Sequence, residues 1–279
     1  MTVPFADRLD AATATRGRLC VGIDPHPSSL AIWGLDDDLN GLERFSRGLV
    51  EAVGSTVACV KPQSAFFEVH GPAGLSVLAR VLRDITECGA VSILDVKRGD
   101  IGSTMAAYAR AYLADTAPLV ADAITVNPFL GFGALSPAIH LAGETGRGLF
   151  VLTRTSNPEG ASTQLARPPS QQEGSSGNAA KSVAQEVVDS AKKANNTAGS
   201  SLVGLVIGAT LKTLDVDLAG FDGWILAPGI GAQGGEVSHL SELFGDVRPR
   251  VLPTASRVVA DAGPNCGEIA ARLAQSAIF

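Results

Sequence analysis

A chain of 279 residues, 46% hydrophobic and 18% charged, is long enough to bury a large core, and its net charge of −6 lacks the basic excess of a nucleic-acid binder. No run of about 18 apolar residues is present to span a membrane, and Asp7, Arg8 and Asp10 put charge where a secretory signal needs an apolar stretch. Four dispersed cysteines, with no CxxC pair, argue against a disulfide scaffold or structural zinc and for free thiols in a reducing cytoplasm.

Along the chain, short runs rich in Val, Ile and Leu begin near Leu19, Thr56, Val91, Asp122, Gly148, Ser201, Trp224 and Val251. Their near-continuous apolar character is that of strands covered on both faces, hence a parallel sheet with flanking helices. Helix-like stretches fall between them, over 42–53, 74–87, 104–114, 133–142, 179–194 and 263–277. Strand starts are 23–37 residues apart, except for one gap of 53, which matches a strand-helix unit of about 30 residues. An open doubly wound sheet has the same alternation, but eight units favour an α/β (β/α)8 (TIM) barrel. The long gap contains residues 156–180, rich in Ser, Gln, Gly and Pro with little to bury. It reads as a flexible loop insertion after strand five, either a tolerated surface excursion or a lid. No other segment looks like a linker, so one domain spans 1–279.

Charge ends the first three apolar runs. Asp24 closes the first, Lys61 the second, Asp95 and Lys97 the third, with Asp100 just beyond. Strand geometry puts Asp95 and Lys97 on one face, about 6.6 Å apart along the chain. If that face is the interior, Asp24, Lys61, Asp95 and Lys97 converge at the C-terminal rim, where barrel enzymes keep their active sites. The alternative is an ion-pair network that merely closes the barrel mouth, although such networks contribute little stability.

A second group lies on strands seven and eight. Residues 227–235 (APGIGAQGG) form a glycine-rich turn leading into a helix, and strand eight ends in Ser256-Arg257. Backbone N–H groups at such a turn and a guanidinium on the next strand favour a phosphorylated ligand. The four histidines show no metal-binding spacing, so no metal is expected. Thr104 is either a helix cap or a ligand hydroxyl.

The run Asp95-Val96-Lys97-Arg98-Gly99-Asp100-Ile101, followed by Thr104, resembles the DxKxxD-I-x-x-T signature of the orotidine 5′-phosphate decarboxylase family. The segments LCVGIDP, VKPQSAFFE, TVNPFLG and APGIGAQGG are similar to its longer bacterial branch, and the likeness runs from about Leu19 to Arg257. The resemblance implies cofactor-free decarboxylation of orotidine monophosphate to uridine monophosphate, the last step of de novo pyrimidine synthesis. It makes Lys97 the proton donor, sets Asp95 against the departing carboxylate, and gives Lys61 and Asp24 the charge network and the ribose hydroxyls. It also implies a homodimer with shared sites, in which Asp100, Ile101 and Thr104 reach into the partner. Ser156 matches the serine at the pyrimidine, and Gln233 and Arg257 match the phosphate side. Two departures stand out: Arg257 lies between Ser256 and Val258, where many relatives have glycines, and the loop after strand five is long. Three other readings stay open: a magnesium-dependent 3-keto-gulonate-6-phosphate type decarboxylase on the same fold, a Schiff-base aldolase using Lys61 or Lys97, and a non-catalytic nucleotide-binding protein.

Overall fold

All eight expected strands form, and each pairs in parallel with its sequence neighbour. The computed structural model describes residues 2–167, 180–231 and 234–277. In chain order the elements are α1 (Phe5–Arg16), β1 (Cys20–Ile23), α2 (Pro27–Ile32), α3 (Leu39–Val53), β2 (Cys59–Pro62), α4 (Ala65–Glu68), α5 (Gly71–Glu87) and β3 (Val91–Arg98). They continue with α6 (Gly102–Leu113), β4 (Ala123–Val126), α7 (Ser136–Thr145), β5 (Gly148–Arg154), α8 (Ala161–Gln164), α9 (Val183–Ala198) and β6 (Val203–Ile207). The last are β7 (Ile225–Ile230), α10 (Val237–Phe244), β8 (Val251–Ala255), α11 (Arg257–Ala260) and α12 (Gly267–Ser276). The strands close in the order β1 to β8, with β8 paired back to β1.

Local chemistry sets the helix ends. The Asp38 side chain accepts the Gly41 N–H at 2.7 Å to open α3, and Ser182 does the same for Gln185 at 3.2 Å to open α9. That cap starts α9 at Val183, four residues later than the apolar pattern suggested, and Gly199 in the left-handed region (φ 64°) ends it. Between β6 and β7, the shortest interval, the chain crosses without a helix. The segment after β5 is not uniformly irregular, since 158–160 and α8 form two short helical turns. Residues 168–179 of the expected loop lie outside the described residues.

Alternation along the strands sorts the core into two shells. Residues such as Leu94, Ile124, Val151 and Leu205 point outward beneath the helices. Cys20, Cys59, Val91, Ile93, Ala123, Phe150, Val206, Leu226 and Leu252 point inward and fill the lower barrel. Helix α1, absent from the sequence-based expectation, covers the N-terminal mouth. Phe5 meets Phe150 edge-on at 5.8 Å, Asp10 accepts from the Trp224 indole at 3.0 Å and from Arg250 at 2.6 Å, and Arg8 pairs with Asp122. Gly148 is required here, because a Cβ would lie 2.3 Å from the Phe5 ring. The four cysteines are free thiols, with Cys88 partly buried and the others buried. Among the described residues no helix is long and apolar enough to cross a membrane.

Candidate active site

At the opposite end, the inward columns change character. One pleat above Cys59 stands Lys61, above Ile93 stands Asp95, and above Ala123 stands Thr125. With Asp24 just beyond β1, they line a cavity of about 280 Å³ at the C-terminal rim. Its remaining wall combines apolar Leu152, Val206 and Leu226 with Ser256 and Arg257 after β8.

Asp95 is the hub. Its Oδ2 accepts from Lys61 Nζ at 2.9 Å and from Gln63 Nε2 at 2.9 Å, and its Oδ1 accepts from Lys97 Nζ at 2.7 Å and from Thr125 Oγ1 at 2.7 Å. Burial alone would raise the Asp95 carboxyl, yet the ammonium groups of Lys61 and Lys97 hold it far below the usual carboxylate range. Burial likewise opposes the charge on Lys61, but attraction to Asp95 and then to Asp24 outweighs it and lifts the ammonium above an ordinary lysine. Both groups are therefore ionised throughout the physiological range. The two lysines differ in access: the Lys61 side chain is 6% exposed and that of Lys97 is 45% exposed. Asp24 Oδ1 is buried with no hydrogen-bond partner among the described residues.

Lys97 reaches the cavity by an irregularity rather than by simple alternation. Leu94 pairs with Ile124 and Arg98 with Val126, so three residues of β3 stand against Thr125 alone. This bulge puts Lys97 at φ 45°, and it is the one non-glycine residue at positive φ among the described residues. Gly99 then passes so close to β4 that a Cβ would lie 2.3 Å from the Asn127 carbonyl oxygen, which explains the glycine inside the motif.

Beside this cluster, the turn after β7 folds on itself: Gly235 N–H donates to the Gly229 carbonyl at 3.0 Å and Gly231 N–H to that of Gly235 at 2.8 Å. Gly229 and Gly231 have φ 117° and 78°, accessible chiefly to glycine. Arg257, exposed at the start of α11, faces the cavity next to this turn.

Asp24, Lys61, Asp95, Lys97 and Arg257 thus come together as the strand ends indicated. Ser156 does not line the cavity. It is exposed and packs its side chain and backbone nitrogen against Gly208, while the neighbouring Thr155 takes the lining position. Asp100, Ile101 and Thr104 also stand outside, on the surface beyond β3, with Ile101 63% exposed. Gln233 lies outside the described residues.

Sequence reasoning missed Gln63 and Thr125; His26, which follows Asp24-Pro25 on a catalytic-face loop and was given no role, lines the cavity and packs edge-on against Phe66 at 4.6 Å. Arg154 was not singled out either, although it stands outside the cavity lining. This buried side chain at the end of β5 bonds both Asp215 carboxylate oxygens at 3.0 Å and the Thr155 carbonyl at 2.6 Å. A charge ending an apolar strand was the signal used for β1 to β3, and it would have found Arg154 as well.

Comparison with known proteins gives a consistent assignment. Residues 17–263 match the family model for the orotidine 5′-phosphate decarboxylase / HUMPS family. Orotidine 5′-phosphate decarboxylase of Salinispora arenicola is 52% identical over 270 residues, covering 96% of this chain and 93% of that protein. The enzyme of the same name from Streptomyces coelicolor is 49% identical, covering 94% and 91%. Among solved structures, Leishmania donovani OMP decarboxylase superposes with a TM-score of 0.74 at 27% identity, covering 99% of each chain. A Streptomyces avermitilis crystal structure reaches 0.89 at 47% identity, covering 99% of this chain and 95% of that one.

Proposed function

The chain belongs to the orotidine 5′-phosphate decarboxylase / HUMPS family, and from that membership and the charged rim we infer that it converts orotidine 5′-monophosphate to uridine 5′-monophosphate and carbon dioxide, the closing step of pyrimidine nucleotide synthesis. Relatives that share about half their residues with it and bear the decarboxylase name weigh against the sugar-phosphate alternative.

The chemical demand is severe. Loss of carbon dioxide leaves an electron pair in the plane of the pyrimidine ring, where ring resonance does not delocalise it. A fixed ammonium in a water-poor site stabilises that charge as it forms and then delivers a proton. Lys97 has this role. Its ammonium is exposed to the cavity and held 2.7 Å from a carboxylate that stays ionised, so it is aimed before substrate arrives. That pre-aimed ammonium is the observation that carries the reading. Asp95 lies against the substrate carboxylate, and their repulsion is relieved as carbon dioxide departs, a smaller contribution. Lys61 keeps Asp95 ionised from the buried side.

The remaining roles follow from position. Asp24 Oδ1, a buried acceptor, suits a ribose hydroxyl. Arg257 and the glycine turn that leads to Gln233 take the phosphate, whose binding energy orders the site away from the reacting carbon. Ser156, next in the chain to the cavity-lining Thr155, serves the base. Asp100, Ile101 and Thr104 serve the site of a second copy of the chain. In support, Ile101, Phe129 and Leu130 are exposed apolar side chains on adjoining rim loops, 63%, 77% and 54% accessible.

The test is a spectrophotometric assay following loss of orotidine monophosphate absorbance. Lys97→Ala should lower turnover by about 10⁴-fold or more, combining loss of proton transfer with loss of electrostatic stabilisation, while uridine monophosphate still binds. Mixing Lys97→Ala with Asp100→Asn should restore activity through hybrids holding one intact site. Near-normal turnover by Lys97→Ala would refute the assignment, and no recovery on mixing would refute the shared site.

A further inference from the structure

Lys97 stands in a backbone conformation that lysine rarely adopts, and something must hold it there. We propose that Thr125 is a positioning residue for Lys97, its single hydroxyl tying the backbone of that lysine to the carboxylate that aims its ammonium; this rests on the reading of Lys97 as proton donor.

The argument begins with the mismatch between β3 and β4. Asp95, Val96 and Lys97 occupy the space opposite one residue, so the Lys97 N–H has lost its regular ladder partner. Thr125 Oγ1 accepts that N–H at 2.9 Å and donates its own proton to Asp95 Oδ1 at 2.7 Å. The same Oδ1 accepts Lys97 Nζ at 2.7 Å. A closed ring results, from Lys97 N–H through the Thr125 hydroxyl and the Asp95 carboxylate to the Lys97 ammonium. Both ends of one lysine are thus tied to Asp95 Oδ1, the ammonium directly and the backbone N–H through the Thr125 hydroxyl.

A hydroxyl is the smallest group able to do this, because it must accept and donate at once. Thr125 is 1% exposed, so water cannot readily substitute for it. Its neighbours in β4 are Ala123, Ile124 and Val126, all apolar and buried. Without the hydroxyl, the Lys97 N–H would lose its partner and Asp95 Oδ1 would lose one of its two donors. Positive φ at a bulky residue persists only where surrounding contacts over-determine it. The bulge would then be free to relax toward regular pairing, which would swing the ammonium away from the pyrimidine position.

Two substitutions separate positioning from packing. Thr125→Val keeps the shape and removes the hydroxyl, whereas Thr125→Ser keeps the hydroxyl and removes a methyl group. A misplacement of about 1 Å at the reacting group costs about 10²-fold. Thr125→Val should therefore lower kcat by about that factor with KM changed by less than about threefold, and Thr125→Ser should stay within about fivefold of wild type. A crystal structure of Thr125→Val should show Lys97 out of the left-handed region. The proposal is overturned if Thr125→Val keeps kcat within about twofold, if serine falls as far as valine, or if the loss lies in KM alone. Should wild-type protein leave orotidine monophosphate untouched, the function assignment fails instead. The Lys97 backbone in Thr125→Val then decides the positioning claim by itself, and an unchanged φ overturns it.

Discussion

The two ends of this barrel are built from the same inward columns and do opposite things. Along β2 the column reads Cys59 then Lys61, along β3 it reads Val91, Ile93 then Asp95, and along β4 it reads Ala123 then Thr125. One pleat, about 6.6 Å, separates a dry apolar layer from a charged one. The lower layer is sealed by α1, through Phe5 against Phe150 and Leu9 with no exposure. The upper layer opens into the cavity and holds two cations and a carboxylate at hydrogen-bond distance. Apolar burial favours folding at about 25 cal/mol per Å², while buried ion pairs roughly break even against apolar packing. The lower layer therefore supplies stability, and the upper layer spends some of it on a pre-aimed charge.

Removing the hub tests the upper half most severely. Asp95→Asn takes the counter-charge from Lys61, which is nearly inaccessible, and from Lys97, which needs it for aim. Turnover should fall by about 10³-fold, the scale for losing an element of electrostatic preorganisation. Stability should fall by about 3–5 kcal/mol, because a buried cation loses its partner. Steady-state kinetics and urea unfolding measure the two effects. A variant as stable as wild type would mean that Lys61 is satisfied by Asp24 alone.

Phe150→Ala tests the lower half at comparable thermodynamic size. Its ring is fully buried between the Phe5 edge and the Gly204 backbone, a region that cannot readily collapse. Truncating a buried Phe typically costs about 3–5 kcal/mol, but the site lies above this layer, so kcat should stay within about twofold below the melting range. A large loss of kcat in folded Phe150→Ala would show that the layers are coupled and that the division by function is wrong.

How far each half can be read from sequence also differs, for physical reasons. Strands buried on both faces leave unbroken apolar runs, so all eight were legible, and a charge that ends such a run is conspicuous, as Asp24, Lys61, Asp95 and Lys97 were. Helix α1 was not legible because it buries only Phe5, Ala6 and Leu9, too few to make a periodic stripe. Thr125 was hidden for a different reason. Threonine is an ordinary strand residue, and its importance arises only from a pairing mismatch with a distant segment. Gln63 likewise carries no pattern; it matters because its backbone bridges to Asp95 and its amide reaches the same carboxylate. Ser156 matched a motif, but a motif does not place a loop residue relative to a cavity, and Thr155 lines it instead.

The smallest expected effect is a plateau, and it sharpens the contrast because only the charged layer can produce it. The Asp95 carboxyl is depressed in the folded chain, so its stabilisation is present above its unfolded value of about 3.9 and is lost as pH falls through the lower folded value. Lys61 is raised, so its stabilisation is present below an unfolded value of about 10.4 and is lost as pH rises through the higher folded one. Between about pH 5 and 9 neither group changes protonation in either state. The difference in unfolding free energy between wild type and Asp95→Asn/Lys61→Met, which removes both charges, should then be constant across that window. It should shrink below about pH 4, where the unfolded carboxylate takes up a proton that the folded one resists, and again above about pH 10, where the unfolded lysine releases a proton that the folded one keeps. Unfolding curves in urea at a series of pH values measure it. Phe150→Ala, which removes no charge, should show a constant difference over the whole range. A difference between wild type and Asp95→Asn/Lys61→Met that drifts between pH 6 and 8 would mean that one of the pair titrates where the enzyme works, and Lys97 would then have no fixed partner to hold it ready.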